Sequence, residues 1–337
     1  MMRPTDLPPG NGHGRMALVT GGAGFIGSHL AEALLATGYR VRVLDDLSTG
    51  RRDNLPSRQS DDFEFWEGSI ADRDFLIQAM SGVDLVFHLA AMVAVPESID
   101  NPRRCLELND LAVFNLYEAA AAAGVGRIIY SSSSAVYGDQ SVPHHEDICP
   151  RPDTPYAMHK LLGEHYGLFF HQHRHLESVY LRYFNVYGPR QLPDSPYSGV
   201  ISLFFNQLGR GEPVTIFDDG WQSRDFVYVA DVVRANLSAA VQPGVSGLTF
   251  NIGSGQVTAI IDLYNHLAAL AGRSGLAPRF ASPRPGDIRH SSGPVDRANR
   301  LLGFQAEISL ADGLARTWEW FVAAALQGGA VNFGENI

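Results

Sequence analysis

The chain reads Thr20-Gly21-Gly22-Ala23-Gly24-Phe25-Ile26-Gly27 directly after a short apolar run, Met16–Thr20, and before an alanine- and leucine-rich segment. Gly21, Gly24 and Gly27 give a GxxGxxG spacing. In a strand–turn–helix unit such glycines permit a tight turn, close backbone approach to a pyrophosphate and close packing of helix on strand. The helix N-terminus adds free amides at the positive end of its dipole. The stretch therefore predicts a unit that binds the pyrophosphate of a dinucleotide, with a tight loop that binds no ligand as the alternative interpretation.

A carboxylate ends the next β-rich run. Asp45 follows Val41–Leu44, at about the spacing where an acid meets the adenosine ribose hydroxyls in dinucleotide-binding folds. A carboxylate there repels a 2′-phosphate, which favours NAD over NADP. Arg51 and Arg52 nearby are interpreted as solvated loop residues. The sequence therefore predicts NAD as the cofactor.

Short β-rich runs alternate with helical segments in the first half of the chain. The expected strands are Met16–Thr20, Arg40–Leu44, Phe63–Trp66, Leu85–Ala90, Arg127–Ser131 and Ser178–Arg182. The expected helices are Gly27–Thr37, Arg73–Met80, Leu106–Ala123 and Pro155–His175. Continuous apolar strands separated by helices are typical of a parallel sheet covered on both faces. We predict an α/β fold with a Rossmann-type, doubly wound parallel sheet.

Beyond Tyr183 the alternation loosens, and glycine and proline become frequent. Expected strands there are Val214–Phe217, Phe226–Val229 and Leu248–Ile252, and expected helices are Ile201–Leu208, Val232–Ala240 and Ala259–Ala271. We interpret residues 183–330 as a smaller C-terminal α/β domain that binds substrate, with segments near 226–252 as candidates to return to the first domain. Residues 15–182 form the expected NAD-binding domain, and residues 1–14 a flexible tail.

Composition and charge exclude several classes of partner. Lysine and arginine number 26 against 36 acidic residues, a formal charge of −10, so nucleic acid and anionic membranes are poor partners. The two cysteines, Cys105 and Cys149, have no metal-ligand spacing and exclude a disulfide framework. Alternate histidines at 171, 173 and 175 do not share a helix face, so no metal is expected. Without an apolar leader or spanning segment, we predict a cytoplasmic protein.

Tyr156 and Lys160 lie four residues apart on an expected helix and therefore share one face. Lys160 is the only lysine in the chain, which indicates a task that arginine cannot perform. An ammonium beside a tyrosine lowers the phenol pKa, and oxidised nicotinamide acts in the same direction. Tyr156 is therefore a candidate general base, although the same spacing also occurs on ordinary helix surfaces.

Four consecutive serines, Ser131–Ser134, occur where the fifth strand is expected to end. Ligands of doubly wound sheets bind at the carboxyl ends of the strands. A hydroxyl at this position can hydrogen-bond the reacting oxygen of a sugar alcohol, while the alternative interpretation is a polar turn.

Together these motifs resemble the extended short-chain dehydrogenase/reductase family, and most closely its nucleotide-sugar 4-epimerases of the UDP-galactose 4-epimerase type. The resemblance covers nearly the whole chain. Its motifs are Thr20–Gly27, His88–Ala91, Ser132–Gly138, Tyr156–Lys160, Arg182–Gln191, Ser223–Val227 and Arg284–His290.

The resemblance implies roles for individual residues. Ser133 would be the catalytic serine, Tyr156 the base, and Lys160 its partner, which also bonds the nicotinamide ribose. The other implied cofactor contacts are Phe25, Ile26, Ser69, Ile70, Leu89, Ala90, Ala91 and Asn109. The family usually has aspartate where this chain has Ser69, so its adenine contact is expected to be weaker or replaced. The implied contacts to the UDP moiety are Asn185, Arg224, Arg284 and Asp287, with the two arginines at the diphosphate.

The resemblance also separates the candidate reactions. Dehydratases and decarboxylases of the family carry acids between the catalytic hydroxyl residue and the Tyr137-Gly138 pair. Here that interval contains Ser134, Ala135 and Val136, which favours UDP-hexose 4-epimerisation through a 4-keto intermediate. A dehydratase or reductase, and a non-catalytic NAD-binding module, are the less favoured alternatives.

The sugar and the oligomeric state stay open at this point. Ser291 occupies a position that faces the sugar C2 substituent in the family, and its small side chain admits UDP-GlcNAc and UDP-GalNAc beside UDP-Glc and UDP-Gal. Arg190 would meet a C6 carboxylate in the alternative of a UDP-glucuronate 4-epimerase. Relatives pair two helices, here Leu106–Ala123 and Pro155–His175, with those of a second copy, so a homodimer is expected.

Overall fold

The computed structural model describes residues 12, 14–57, 60–193, 198–283 and 288–326. The strands are β1 (Met16–Thr20), β2 (Arg40–Asp45), β3 (Phe63–Glu67), β4 (Leu85–His88), β5 (Arg127–Ser133), β6 (Glu177–Tyr183), β7 (Asn185–Tyr187), β8 (Thr215–Phe217), β9 (Ser223–Tyr228), β10 (Thr249–Ile252), β11 (Val257–Ala259), β12 (Arg279–Ala281) and β13 (His290–Ser291). The helices are α1 (Phe25–Ala36), α2 (Arg73–Ala79), α3 (Val95–Asp100), α4 (Pro102–Leu106), α5 (Ala112–Ala123), α6 (Pro155–Arg174), α7 (Val200–Gly209), α8 (Val229–Val241), α9 (Ile260–Leu270), α10 (Asp296–Leu302) and α11 (Leu310–Leu326). Within the described ranges, no helix is long and apolar enough to cross a membrane.

Seven parallel strands form the main sheet in the order β10-β6-β5-β4-β1-β2-β3. The order reverses between β1 and β4, so the carboxyl ends of these strands open a crevice where a dinucleotide binds in such folds. β1 is buried along its whole length because helices cover both faces of the sheet. The predicted doubly wound α/β fold is confirmed.

Two helical layers enclose the main sheet. On one face α1, α8 and α10 bury residues such as Leu30, Val232 and Leu302 against the strands. On the other face α2, α5 and α6 bury Leu116 and Phe170, among others. The position of every strand end is therefore fixed from both sides.

A smaller unit packs beside the main sheet. Strand β9 pairs with β7, β11 and β13, while β8 pairs with β12. Helices α7, α9 and α11 cover these strands through a core that includes Phe205, Leu263 and Phe321. The sequence analysis did not predict α10 or α11, although buried Leu314, Thr317 and Phe321 give α11 an apolar stripe at helical spacing.

The segment expected to return to the first domain divides between the two units. β9 stays in the smaller sheet, whereas α8 and β10 join the main sheet, where Phe250 of β10 is paired with Leu181 of β6. α10, which lies beyond that segment, also packs against this part of the fold. Cross-overs of this kind tie the smaller unit to the main sheet.

Some expected boundaries differ from the structure. The helix expected from Leu106 begins at Pro102, because α4, a π-helical turn at Glu107–Leu111 and α5 run on without a break. Proline at the first helical position removes an amide that would have no partner there. π-helical turns of this kind often lie at functional sites, and this one contains Asn109.

Candidate active site

The glycine turn, residues 21–27, has no room for a side chain at Gly21 or at Gly27. Gly21 has a φ of +68°, and a Cβ on it would lie 2.7 Å from the Ala90 amide nitrogen. A Cβ on Gly27 would lie 2.2 Å from the Gly21 carbonyl oxygen, so α1 packs directly on the turn. Gly24 precedes α1 and gives its first-turn amides no side-chain cap, and Phe25 and Ile26 form that first turn. These open amides suit the pyrophosphate of a dinucleotide.

Asp45 lies at the end of β2, beside this turn. Its carboxylate oxygens accept hydrogen bonds from the amides of Ala23 and Leu47, each at 2.9 Å. Burial raises the pKa of this carboxyl, while the two amide hydrogen bonds act in the opposite direction. The carboxylate thus links the glycine turn to the loop after β2, where an adenosine ribose binds in dinucleotide folds.

The loop after β4 completes the cofactor crevice. The Leu89 amide donates to the Thr20 carbonyl at 3.1 Å, which places Leu89, Ala90 and Ala91 beside the end of β1. Asn109 reaches this loop from the π-helical turn and bonds both the amide and the carbonyl of Met92, at 2.8 Å each. Its side chain therefore holds the loop rather than projecting freely toward a cofactor.

The departure at Ser69 has a local structural role. Its hydroxyl accepts a 3.3 Å hydrogen bond from the Ala71 amide, and Ile70 is buried. Ser69 follows β3, whose end is joined to β2 by a hydrogen bond from the Gly68 amide to the Asp45 carbonyl. Ser69 and Ile70 thus lie at the same edge of the sheet as Asp45. Taken together, the turn, the loop and Asp45 form a cradle that fits NAD.

The predicted proton-transfer residues lie together where β5 ends and α6 begins. Thr154 caps α6 by accepting a hydrogen bond from the Ala157 amide, and Pro155 occupies the first helical position. Tyr156 is therefore in the first turn of α6, near enough to the Ser133 side chain for that group to lower the pKa of the phenol. One turn later, the Lys160 Nζ donates to the Ser131 carbonyl at 2.8 Å.

The two groups of this pair differ in exposure and charge. Lys160 is 4% exposed, and burial lowers its pKa to about 8. Burial raises the pKa of Tyr156, while the hydrogen bond with Ser133 opposes that shift. The expected effect of the Lys160 ammonium on the phenol is therefore outweighed, because the loss of hydration is the larger effect.

A buried histidine lies behind this pair. The Nδ1 of His88 is 2.8 Å from the Thr20 hydroxyl, and its ring stacks on Tyr130 at 5.6 Å. Burial, with a smaller contribution from the charge of Lys160, lowers the His88 pKa to about 3. His88 is thus neutral at physiological pH and adds no second positive charge beside Lys160.

Three of the predicted substrate residues converge on strand β9. Arg224 belongs to β9, and Ser291 of β13 is its register partner. Asn185 of β7 is paired with Phe226 of β9, and its amide donates to the Asp225 carbonyl at 3.3 Å. Buried Asp225 in turn binds the backbone of the following β10–β11 loop. Arg284 and Asp287 lie outside the described residues.

Arg190 lies against helix α1. Its guanidinium forms an ion pair with Glu32 at 2.5 Å and donates to the Ser28 hydroxyl at 3.1 Å, both on α1. The neighbouring carbonyl of Pro189 accepts a hydrogen bond from His29 of the same helix. These contacts join the smaller unit to α1, and the alternative role of Arg190 as a partner for a sugar carboxylate stays a prediction.

The profile of the NAD dependent epimerase/dehydratase family matches residues 17–253, which include the glycine turn, Ser133, Tyr156 and Lys160. The chain belongs to the NAD-dependent epimerase/dehydratase family. The predictions of an NAD-dependent enzyme and of the family resemblance are thereby confirmed.

Several members of the NAD-dependent epimerase/dehydratase family are similar to this chain over nearly their full length. The UDP-glucose 4-epimerase of Mycolicibacterium smegmatis is 41% identical over 308 residues, 90% of this chain and 97% of that protein. The structure of a Thermotoga maritima UDP-glucose 4-epimerase with UDP-glucose matches with a TM-score of 0.87 at 39% identity, covering 91% and 99% of the two chains. A UDP-N-acetylglucosamine 4-epimerase from Methanobrevibacter ruminantium, in complex with UDP-N-acetylmuramic acid, matches with a TM-score of 0.87 at 35% identity, covering 92% and 99%.

Sequence reasoning missed three polar residues behind the epimerase/dehydratase site. Glu164 and Arg182 form a buried ion pair at 2.6 Å, and the Ser132 hydroxyl donates to Glu164 at 2.5 Å. The signal was present for Glu164, which lies four residues beyond Lys160 on the same helix face. For Arg182 and Ser132 only the pairing of β5 with β6 shows that they are neighbours.

Proposed function

We propose that this protein is a UDP-hexose 4-epimerase that inverts C4 of the sugar through a transient 4-keto intermediate. The observation that carries the proposal is the convergence of Ser133, Tyr156 and Lys160 at the carboxyl end of β5, on the edge where the glycine turn also opens. No acid lies between Ser133 and Tyr137, so this site lacks the extra carboxylate that elimination or decarboxylation would use.

NAD, when bound, would accept a hydride from C4 of the sugar and return it after the sugar has turned. Tyr156 takes the proton of the 4-hydroxyl as the hydride leaves, which produces the 4-keto group. Ser133 hydrogen-bonds the same oxygen and keeps it close to the phenol. Oxidised nicotinamide, when bound, would carry a positive charge that favours the phenolate form of Tyr156 and opposes the effect of burial.

Lys160 acts on the electrostatics of this step. Its ammonium is fixed by the Ser131 carbonyl and lies 5.9 Å from the centre of the Tyr156 ring. A positive charge at this distance stabilises phenolate relative to phenol. After rotation of the flat keto sugar, Tyr156 returns its proton to O4 as hydride arrives on the other face, giving the 4-epimer.

Epimerisation requires a tight grip on UDP and a loose one on the hexose. We propose that Asn185 and Arg224 on the β7–β9 pair, together with Arg284 and Asp287, hold the UDP moiety, so that residues 183–330 serve mainly to bind substrate. Arginine suits a diphosphate because its planar guanidinium forms paired hydrogen bonds with phosphate oxygens.

Ser291 supports a pocket that admits more than one hexose. It is the register partner of Arg224, which places a small hydroxyl beside the proposed diphosphate site. We expect Ser291→Tyr to remove activity on UDP-GlcNAc at least tenfold more than activity on UDP-glucose, because the phenol fills the space of an N-acetyl group. Rates on both sugars, measured side by side, check this, with Ser291→Ala as the small-residue control. Equal losses on both sugars would contradict the role.

The function is tested with the purified protein and no added NAD. UDP-Glc, UDP-GlcNAc and UDP-GlcA are incubated separately, and the anomeric protons are followed by NMR. Appearance of a 4-epimer supports the proposal, and the fastest substrate identifies the sugar. Activity that requires added NAD would trace weak cofactor retention to Ser69, and binding of dinucleotide without conversion of any sugar would overturn epimerisation.

We also propose a homodimer. Apolar side chains are exposed along the outer faces of the helix at 102–123 and of α6, which contact each other through Phe114 and Tyr166. The exposed set comprises Leu106, Leu111, Phe114, Met158, Leu162 and Phe169. A second copy related by a two-fold axis would cover this surface with the same helices. Sedimentation should give twice the 36.7 kDa chain mass, and a monomer at micromolar concentration would contradict it.

A cytoplasmic location fits the two cysteines. Cys105 and Cys149 are both unpaired, the first buried and the second exposed. Free thiols persist in a reducing compartment. Fractionation of the producing cell, with a cytoplasmic enzyme as reference, tests this proposal, and recovery in an extracytoplasmic fraction would contradict it.

A further inference from the structure

Helix α6 places a third titratable group at the spacing of the proton-transfer pair. Tyr156, Lys160 and Glu164 follow one another at four-residue intervals, so all three lie on one face of the helix. Glu164 is 4% exposed. That face meets three consecutive serines of β5: Lys160 donates to the Ser131 carbonyl, Glu164 accepts from the Ser132 hydroxyl, and the Ser133 side chain lowers the pKa of the Tyr156 phenol.

Glu164 joins α6 to two strands at once. One carboxylate oxygen accepts from the Ser132 hydroxyl at 2.5 Å and from the Arg182 Nε at 2.9 Å. The other accepts from the Arg182 Nη2 at 2.6 Å. Ser132 and Arg182 are register partners in β5 and β6, so their side chains point to the same face of the sheet. The helix is therefore fixed to the end of both strands by directional bonds.

Close packing against the sheet also leaves α6 little freedom to move. A Cβ on Gly163 would lie 2.1 Å from the Tyr130 hydroxyl, and one on Gly167 would lie 2.5 Å from the Tyr180 hydroxyl. α6 thus packs directly on aromatic side chains of β5 and β6. Apolar packing of this kind sets the distance of a helix from a sheet, whereas the hydrogen bonds of Glu164 set its position along and around its axis.

A buried ion pair is not needed for stability as such. The desolvation of two charges largely offsets their attraction, and apolar pairs of similar volume often stabilise a protein equally well. What a bidentate carboxylate–guanidinium pair adds is a defined geometry. We propose that Glu164, held by Arg182 and Ser132, is a positioning residue that fixes Tyr156 and Lys160 relative to Ser133. The inference rests on the proposed 4-epimerase function.

The test compares two buried acid–arginine pairs. Glu164→Gln keeps the side-chain volume and removes the charge. We expect kcat on UDP-glucose to fall about ten- to hundredfold, since misplacement by about 1 Å has effects of that size, while KM and NAD affinity change less than about twofold. Asp231→Asn breaks the ion pair with Arg234. The Asp231 carboxylate also accepts hydrogen bonds from the backbone amides of Glu307 and Ile308. This control should lose stability and keep kcat.

A second readout does not depend on turnover. Because Lys160 is the only lysine, protein grown with Nζ-labelled lysine gives a single side-chain signal. We expect this signal to move in Glu164→Gln and to a smaller extent in Ser132→Ala, and to stay unchanged in Asp231→Asn. Ser132→Ala leaves the ion pair intact and reports on positioning even where Glu164→Gln does not fold.

The outcomes separate the two proposals. An unchanged kcat and an unchanged lysine signal in the variants at 164 and 132 would overturn the positioning role while leaving the epimerase function intact. Equal losses of kcat in Asp231→Asn would also overturn it, since they would reflect general destabilisation. If the unmodified protein converts no UDP-sugar, the function fails, and the lysine signal still decides whether Glu164 positions α6.

Discussion

Three consecutive serines at the end of β5 each have a different partner on α6. The Ser131 carbonyl accepts a hydrogen bond from Lys160, and the Ser132 hydroxyl donates one to Glu164. The Ser133 side chain interacts with Tyr156 and lowers the pKa of its phenol. A polar turn, the alternative interpretation of the sequence, would have left these groups in solvent. Because neighbouring residues of a strand point to opposite faces, their distinct partners could be assigned only in the folded chain.

At the residue scale, removal of the Tyr156 hydroxyl tests the proposed base. We expect Tyr156→Phe to lower kcat by about 10²–10⁴-fold, the usual contribution of general acid–base catalysis, with UDP affinity nearly unchanged. NMR of the sugar and calorimetry with UDP measure the two quantities. Tyr166→Phe, on the same helix but bonded to Asp110, is the control that should retain activity. Retained activity in Tyr156→Phe would contradict the assignment.

Arginine and lysine are divided by task in this chain. Arg42 and Arg127 are buried and donate to the last carbonyls of α2 and α8, where a planar fork satisfies several acceptors at once. Lys160 instead carries an amine whose pKa falls to about 8 on burial. The sequence predicted a special role for Lys160 from its count alone.

At the scale of elements, glycine is needed at position 27 because of close packing and not because of its backbone conformation. Gly27 has an ordinary helical conformation, yet a Cβ there would overlap the Gly21 carbonyl at 2.2 Å. The spacing therefore records how closely α1 approaches β1. This explains why the sequence alone predicted the unit: local spacing and local structure coincide within eight residues.

Gly27→Ala tests this contact. We expect a loss of about 1–3 kcal/mol in the free energy of unfolding, the usual effect of overpacking, and weaker NAD binding because the turn must move. Urea unfolding and titration with NAD measure both. Gly275→Ala, where no atom lies within 4 Å of the new methyl, should change stability by less than about 0.5 kcal/mol. Equal stability and NAD affinity in Gly27→Ala and the unmodified protein would argue against close packing.

Elements beyond Tyr183 were less predictable than those before it. β9 and β10 are both short strands, yet one joins the smaller sheet and the other the main sheet. Their sequences do not encode this choice, because strand partners are set by contacts distant along the chain. α10 has only seven residues and gives a weak helical signal, whereas α11 carries an apolar stripe at helical spacing that the sequence analysis did not use.

At the scale of the whole molecule, α1 links the two units. His29 of α1 donates to the Pro189 carbonyl at 3.0 Å, and Arg190 pairs with Glu32 on the same helix. The helix that opens at the glycine turn thus also holds the segment following β7. The glycine turn and the smaller unit are therefore joined through α1.

The His29 contact predicts a pH dependence of stability. Burial, aided by the charge of Arg190, lowers the His29 pKa from 6.5 to about 4. Because the unfolded chain binds the proton more readily, stability is full above pH 6.5 and is lost as the pH falls toward 4. We expect His29→Gln to reduce the loss of unfolding free energy between pH 7 and pH 5 by about 2 kcal/mol.

Urea unfolding at the two pH values measures this difference. His145→Gln is the matched control, because His145 is exposed, and its pH dependence should equal that of the unmodified protein. The same pH dependence in His29→Gln and in the unmodified protein would show that His29 is not held neutral by burial.

The sequence by itself determined the βα turn, the NAD preference at Asp45, the doubly wound fold and the pair Tyr156–Lys160. Each depends on spacing within one or two elements, where chain geometry follows directly from residue order. Tertiary structure alone decided that Arg190 pairs with α1, that β10 completes the main sheet, and that Glu164 meets Ser132 and Arg182. These contacts join residues that are distant along the chain, and only burial of the shared core brings them within bonding distance.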